Sequence, residues 1–393
     1  MEVTTIESGN AAQLADVARE AGRVFDSGGL VIFPTETVYG IGASASSDKG
    51  FAALLDVKGR EQTQPFTIHL PHAPAAGRYV DLTHIRMRRL VEKLFPGPVT
   101  LVVDVPEDMM ADRLRALEDE LGAASLLPAQ GIHALGQRLY HSGTIGLRCP
   151  DDAVARRILG GTLAPVVASS ANKRGQPPPL EIEAARKAVG ESAELIVDGG
   201  HTRYAKPSTI VRVRYAEGGS PVIKVEREGV YDERTIRRML RWTMLLVCSG
   251  NTCRSPMAEA IAKNMISTER GIKADELEAA GVRILSAGAF TTSGMPAAHE
   301  AIDAMNKIGI DLSQHRSRSL SPELIHEADV IYTMTNNHRD AVLNFDREAA
   351  DKTFTLDPNG DIDDPIGGSL TVYQRCAELI RRRLDLRIRE QQP

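Results

Sequence analysis

Cys248 and Arg254 lie in the stretch TMLLVCSGNTCRSPMAEA, residues 243–260, with five residues between them and Ser255 directly after. Four kinds of chemistry could use such a stretch. As zinc ligands, Cys248 and Cys253 lack a second Cys or Cys/His pair at finger-like spacing. As a redox pair they are too far apart for Cys-x-x-Cys. As core, a buried cysteine leaves Gly250, Asn251, Arg254 and Ser255 unexplained. A nucleophile accounts for all of them. An apolar strand would deliver Cys248 to a loop, and Pro256 suits the first turn of a following helix, where its missing N–H costs nothing. Such a loop can curl so that successive N–H groups, with the helix N-terminus, cradle an anion. That positive field favours a thiolate over a thiol. Ser249, Gly250, Asn251, Thr252, Cys253 and Ser255 are then the phosphate-binding turn, Gly250 and Asn251 tolerating the left-handed backbone such a curl requires. Arg254 offers a planar fork for two phosphate oxygens. Ser255 can hydrogen-bond the thiolate as it leaves.

Phosphoryl transfer to sulfur also needs an acid for the leaving atom. The stretch DIDDPIGGSLTVY supplies Asp364 after the fourth of four strand-like segments, TMLLVC, VRILSAG, DVIYTMT and KTFTLD. Helix-like PMAEAIAKNMIS, PAAHEAIDAMNKIG and NNHRDAVLNF separate these, and a last helix runs through SLTVYQRCAELIRRRLDLRI. This alternation predicts a Rossmann-like or flavodoxin-like four-stranded parallel sheet with helices on both faces. The carboxyl ends of parallel strands share one rim, so the Asp364 loop can face the cysteine loop.

With VCSGNTCRSPMAEA, SAG, GIDLSQHRSRSL, YTMT and DDPIGGS in this order, residues 243 to about 390 resemble the low-molecular-weight protein-tyrosine phosphatase family. The resemblance implies Cys248 as nucleophile, Arg254 as phosphate-binding residue and Asp364 as general acid, with a phosphocysteine intermediate and no metal. It also implies that Cys253 can trap an oxidised Cys248 as a reversible disulfide. Two positions leave the substrate open between phosphotyrosine and phosphoarginine on proteins. Ile366 stands where an aromatic residue usually stacks on the phenol ring, and Thr252 is what phosphoarginine-selective relatives look like.

In the first half no single piece is as telling. VIFPTETVYGIGASA reads as an apolar strand running into a Thr- and Gly-rich loop, with Thr35 and Thr37 as plain β-formers. Lys58 and Arg60 in DVKGREQTQPFTIHL read alone as exposed turn charges, and Ser170 and Asn172 in VVASSANKRGQPPPL as a turn or helix cap. Jointly they set hydroxyls, an amide and cations at strand ends, which suits a phosphate-bearing ligand. VTLVVDV, PVVASSAN and STIVRVR add strands, and AAQLADVAREAGRVFDSG a helix.

Through FPTETVYGIGA, KGR, FPGPVTLVV, TIGLRCPDD, ASSANKRGQP, DGG and PSTIV, residues from about 10 to 230 resemble the threonylcarbamoyl-AMP synthase family, the YrdC-like domain. The fold this implies is a mixed α/β twisted open sheet. The activity it implies joins L-threonine, bicarbonate and ATP, with Mg2+ arriving on the ATP, into threonylcarbamoyl-AMP and pyrophosphate. The product serves the threonylcarbamoyl modification of adenosine in tRNA, so tRNA or tRNA-modification proteins are implied partners. Thr35, His69, Arg148 and Ser208 are the implied threonine-side contacts. Lys58, Arg60, Ser170, Asn172 and Arg227 are the implied ATP-side contacts. Departures are Glu61 for a usual proline, VEREG for an Arg-Pro-Gly ending, and an insertion over 107–142 that reads as added helix able to cover the cleft. The reading of a different class is a non-catalytic nucleotide- or double-stranded-RNA-binding module attached to the phosphatase.

The 393-residue chain exceeds one typical domain of about 100–200 residues. The expected division is 1–235, a linker at 236–242 and 243–393, with EREGVYDERTIRRMLRW at the boundary read as a solvated helical face and Trp242 as a packing residue. A net charge of -5 gives no global pull toward nucleic acid. No apolar run reaches the roughly 20 residues of a membrane span, and the first twenty residues carry no secretion signal pattern. Four cysteines are too few for a disulfide scaffold, Cys149 and Cys376 reading as core, so a cytoplasmic setting is expected.

Overall fold

The computed structural model describes residues 3–5, 11–59, 65–216 and 221–391. Arg60 and Glu61 fall outside the described residues. The chain divides into two compact units, Met1–Met239 and Leu240–Pro393. The boundary segment holds a helix, Glu233–Met239, which lies in the first unit, while the first strand of the second begins at Trp242.

The strands of the first unit are β1 Val3–Thr5, β2 Val31–Phe33, β3 Gly40–Ser44, β4 Thr67–His69, β5 Val99–Asp104, β6 Thr144–Arg148, β7 Val166–Ser170, β8 Leu195–Asp198, β9 Thr209–Tyr215 and β10 Pro221–Arg227. They form one ten-stranded mixed sheet in the order β1-β8-β2-β3-β7-β4-β6-β5-β9-β10. The expected strand that runs into a Thr- and Gly-rich loop at VIFPTETVYGIGA is followed by a second strand. Pro34 cannot donate to a ladder, and the chain turns back so that Phe33 pairs with Gly40 antiparallel. Thr35 and Thr37 therefore lie in the connecting loop and not in a strand. One face of the sheet is covered by the Ala11–Asp26 and Ala153–Leu159 helices, whose Val17, Ala21, Phe25, Ala155 and Ile158 pack on Val31, Phe33, Val166 and Val197.

The Asp48–Lys58 helix is closed at both ends. The Ser47 side chain accepts from Gly50 N, and Gly59, left-handed at φ 52°, caps the last turn through its N–H to Asp56 O and Leu55 O. This stop sets Lys58 at the helix end. The 107–142 insertion is helical as expected, over Glu107–Ala123 and Gly131–Leu139. Arg138 donates to Ala45 O at 2.8 Å and pairs with Asp48, at the end of that helix about 15 Å from Lys58 by helical rise.

In the second unit β11 Trp242–Cys248, β12 Val282–Gly288, β13 Val330–Thr333 and β14 Thr353–Thr355 form an all-parallel sheet in the order β12-β11-β13-β14. β11 is buried along its whole length, and the two-residue period of a strand sorts its side chains between two layers. Trp242, Met244 and Leu246 join Met257, Ile261, Ile380 and Leu384 of the Arg254–Arg270 and Leu370–Gln391 helices. Leu245 and Val247 join Ile325 and Val342 of the Pro322–Glu327 and Asn336–Phe345 helices. The result is the expected three-layer arrangement, with Cys248 at the carboxyl end of the central strand.

Candidate active sites

In the second unit, the chain leaves β11 at Cys248, curls through Ser249–Cys253 and enters the Arg254–Arg270 helix. Asn251 takes the left-handed backbone, φ 51°, and is fully buried. Gly250 does not, so of the two residues able to tolerate that backbone Asn251 takes it. A short polar side chain suits that conformation because it can bond locally. Asn251 Nδ2 donates to Ser255 Oγ at 2.9 Å and to Ser286 Oγ at 2.8 Å, and its Oδ1 accepts from Arg318 N at 2.7 Å. His315 Nε2 lies 2.8 Å from Asn251 O, and Ser286 Oγ donates onward to Glu259 Oε2 at 2.6 Å. Gly288, closing the SAG stretch, lets the loop pass. A Cβ there would meet Thr291 Cγ2 at 2.5 Å and Ser249 O at 2.8 Å.

The curl brings chemistry to Cys248. Ser255 Oγ lies 2.9 Å from its Sγ, and Asn251 N donates to the sulfur at 3.3 Å. Arg254 is buried; Nη1 donates to Ile362 O at 2.9 Å, and Nη2 pairs with Asp364 and reaches Ser249 Oγ at 3.4 Å. The Asp364 loop thus meets the cysteine loop from far along the chain. Thr252, half-buried, sets its Oγ1 3.7 Å from Cys253 Sγ, which Tyr373 OH approaches to 3.5 Å. Burial pushes the Cys253 thiol up. Ile366 is 70% exposed beside Asp364.

Sequence reasoning missed His338. It is buried, with Nε2 2.8 Å from Ser249 Oγ and Nδ1 2.8 Å from Thr335 Oγ1. Burial and the Arg254 cation push it down to about 4, against a smaller upward pull from Asp364. Its pattern, NNHRDAVLNF, is that of an ordinary helix and carries no local signal of this contact.

In the first unit two clusters form. Lys58 is buried, not an exposed turn charge. Its Nζ donates to Ser170 O at 2.8 Å and Asn172 Oδ1 at 3.3 Å, and also to Asn172 O. That joins Lys58, Ser170 and Asn172 at the end of β7. The second cluster centres on Arg148, whose Nη2 donates to Thr37 Oγ1 at 2.6 Å, Glu36 Oε1 at 3.0 Å and Thr35 Oγ1 at 3.3 Å. His69 is Arg148's register partner on the neighbouring strand. Burial, with the Arg148 cation, pushes His69 down to about 3, so the ring is neutral at ordinary pH. Ser208 Oγ lies 2.9 Å from Thr100 Oγ1, and Arg227 Nη2 donates to Ser208 O at 2.8 Å. Burial and then the Arg148 charge lower Arg227. Arg227, expected on the ATP side, thus stands with Ser208 and within the field of Arg148. Glu36 and Thr37 were unassigned; their signal was only that they sit inside the quoted FPTETVYGIGA. Among the described residues no group of three or more His, Cys, Asp or Glu side chains forms a metal cluster, and no helix is long and apolar enough to cross a membrane.

The two units match two family models. The Sua5/YciO/YrdC model, described as telomere recombination, matches residues 23–229, more than half of the chain. The model described as low molecular weight phosphotyrosine protein phosphatase matches residues 243–389. Among curated relatives, the "Protein-arginine-phosphatase" of Geobacillus stearothermophilus is 36% identical over 149 residues, 37% of this chain and 92% of that protein. The "Probable low molecular weight protein-tyrosine-phosphatase EpsP" of Ralstonia nicotianae is 33% identical over 145 residues, 36% of this chain and 91% of that protein. The "Putative threonylcarbamoyl-AMP synthase" of Mycobacterium tuberculosis is 31% identical over 214 residues, 54% of this chain and 84% of that protein. The chain therefore belongs to two families at once, the Sua5/YciO/YrdC family through its first unit and the low molecular weight phosphotyrosine protein phosphatase family through its second.

Proposed function

We propose that this chain is a bifunctional cytoplasmic enzyme, a threonylcarbamoyl-AMP synthase joined to a protein phosphatase that works through a phosphocysteine. The observation that carries the phosphatase reading is that the helix following the cysteine turn sets Ser255 against the Cys248 sulfur while its Arg254 pairs with Asp364 from a loop far along the chain. Cys248 sulfur attacks phosphorus while Asp364 gives its proton to the departing oxygen or nitrogen. Water then attacks the phosphocysteine, Asp364 takes the water's proton, phosphate leaves, and Ser255 hydrogen-bonds the sulfur that departs. Arg254 holds two phosphate oxygens throughout, and a phosphate taking over its donors frees the Asp364 carboxyl for the leaving atom. The substrate class is phosphoarginine on proteins. Thr252 offers a hydroxyl acceptor beside the loop for a guanidinium rich in donors, and Ile366 offers no aromatic face to a phenol. The named relatives include both an arginine and a tyrosine phosphatase. The test is the ratio of kcat/KM for phosphoarginine and phosphotyrosine; a ratio that favours phosphotyrosine selects the second substrate.

For the first unit the reaction joins threonine and bicarbonate into a carbamate and water, and the carbamate oxygen then displaces pyrophosphate from the α-phosphorus of ATP. ATP brings its magnesium as part of the substrate. Lys58, with Ser170, Asn172 and Arg60, serves the phosphates; Thr35, His69, Arg148 and Ser208 serve threonine. Cations are needed because the pentavalent phosphorus and the leaving pyrophosphate concentrate negative charge. Arg227 serves the ATP side from its place beside Ser208. The product implies tRNA and tRNA-modification proteins as downstream partners. Pyrophosphate release that requires both threonine and bicarbonate supports the reading. Nucleotide or double-stranded RNA binding without such release would replace it by a binding module.

A further inference from the structure

We infer that His338 is a positioning residue of the phosphatase site, which locks the Ser249 hydroxyl so that its proton points at a phosphate oxygen. This rests on the phosphatase reading above. A serine hydroxyl has one proton to give and two lone pairs to fill. Arg254 Nη2 can only donate, and it lies 3.4 Å from Ser249 Oγ. His338 Nε2 lies 2.8 Å from the same oxygen. What the ring does there depends on which nitrogen carries the proton, and the hydrogen-bond network assigns it.

Thr335 bears on this. Its hydroxyl oxygen caps the Asn336–Phe345 helix by accepting from His338 N at 3.3 Å. One lone pair is thereby used by the backbone of the same residue whose ring nitrogen Nδ1 lies 2.8 Å away. The hydroxyl proton remains to be given, and in the tautomer this proposal takes it goes to Nδ1. A neutral imidazole accepting at Nδ1 donates at Nε2. The ring is neutral because it is buried beside the Arg254 cation. Ser249 Oγ then accepts twice, from His338 and from Arg254, and its remaining proton must be given away from both. Ser249 belongs to the turn that cradles the anion, so that proton serves a phosphate oxygen. The backbone of the turn supplies N–H donors; this pair adds a hydroxyl donor held by a buried ring, preorganised before substrate arrives.

The test uses the full chain, with inorganic phosphate as the competitive probe and an aryl phosphate as substrate, in wild type, Ser249→Ala, His338→Leu, His338→Gln and the Ser249→Ala/His338→Leu double variant. Loss of one hydrogen bond to a charged group is expected to raise the phosphate Ki and lower kcat/KM about tenfold in Ser249→Ala. His338→Leu should show a similar loss, and the double variant no more than the larger single loss, because both remove the same bond. His338→Gln, whose amide can donate from nearly the Nε2 position, should recover most of it. A double variant whose loss is the product of the single losses would overturn the proposal. So would Ser249→Ala with an unchanged phosphate Ki, an arm that holds even if His338→Leu does not fold. A wild-type chain that hydrolyses neither the aryl phosphate nor phosphoarginine would instead remove the phosphatase reading itself.

Discussion

Asp364 and Arg254 form the ion pair on which the phosphatase chemistry turns. If Asp364 is the proton donor, Asp364→Ala should lower kcat/KM for substrates with basic leaving groups by about 10²–10⁴-fold and leave kcat/KM for activated aryl phosphates nearly untouched. This ratio ends at departure of the leaving group and so is free of the later water-activation step; equal losses in kcat/KM across a leaving-group series would return Asp364 to a structural role. Thr252→Ile should move selectivity toward aryl phosphates and away from phosphoarginine. One lost polar partner in a closed site is worth about 1–3 kcal/mol, enough to read in the kcat/KM ratio. At this scale the cysteine turn was legible because its residue types are improbable together. Strand, Gly-Asn, Arg-Ser and Pro each answer a separate demand of an anion cradle. His338 was not legible. Its partner Ser249 is 89 positions away in sequence, and nothing in a helical pattern says which ring will be buried against which loop. Lys58 was half legible: the charge was seen, but its burial on the Ser170 and Asn172 carbonyls is a tertiary fact.

The elements explain why these residues stay in place. β12 ends in Gly288, against which the cysteine loop runs. Gly288→Ala would push a methyl group into Ser249 O and Thr291, so the loop must shift while the sheet behind it need not. The expected outcome is a phosphate Ki raised at least severalfold together with a lowered thermal transition of the unit, because the clash is partly with loop backbone, measured by inhibition and by circular dichroism. A lowered transition with unchanged Ki would place the role of Gly288 in the sheet instead. The second unit's strands were legible because parallel strands buried on both faces are near-continuous apolar runs, as TMLLVC is. In the first unit, β1, β2, β4 and β8 have only three or four residues each. No alternation can show in such short runs, and a mixed sheet order depends on contacts between distant segments. The division of VIFPTETVYGIGA into two strands had a local cause, Pro34, that an apolar pattern alone does not weigh.

At the scale of the whole chain, His69 in the first unit and His338 in the second are buried histidines held neutral, pushed down to about 3 and to about 4 from an ordinary 6.5. Below pH 6.5 the unfolded chain takes up protons at these positions that the folded chain refuses. Stability from this source is therefore fully present above pH 6.5 and is lost as pH falls through 6.5 toward 4 and 3. Thermal melts between pH 7.5 and pH 5, values set by that window, should show falling stability in wild type. His69→Gln should lessen the pH slope of the first unit's transition and His338→Gln that of the second. Unchanged slopes in both variants would show that other groups carry the acid sensitivity. The central claim, two enzymes on one chain, is tested most directly by assaying both activities on one preparation of Cys248→Ser protein beside wild type. The account predicts pyrophosphate release dependent on threonine and bicarbonate at the wild-type rate, with phosphatase turnover abolished. Pyrophosphate release indifferent to threonine and bicarbonate, or phosphatase turnover surviving without the Cys248 sulfur, would contradict it.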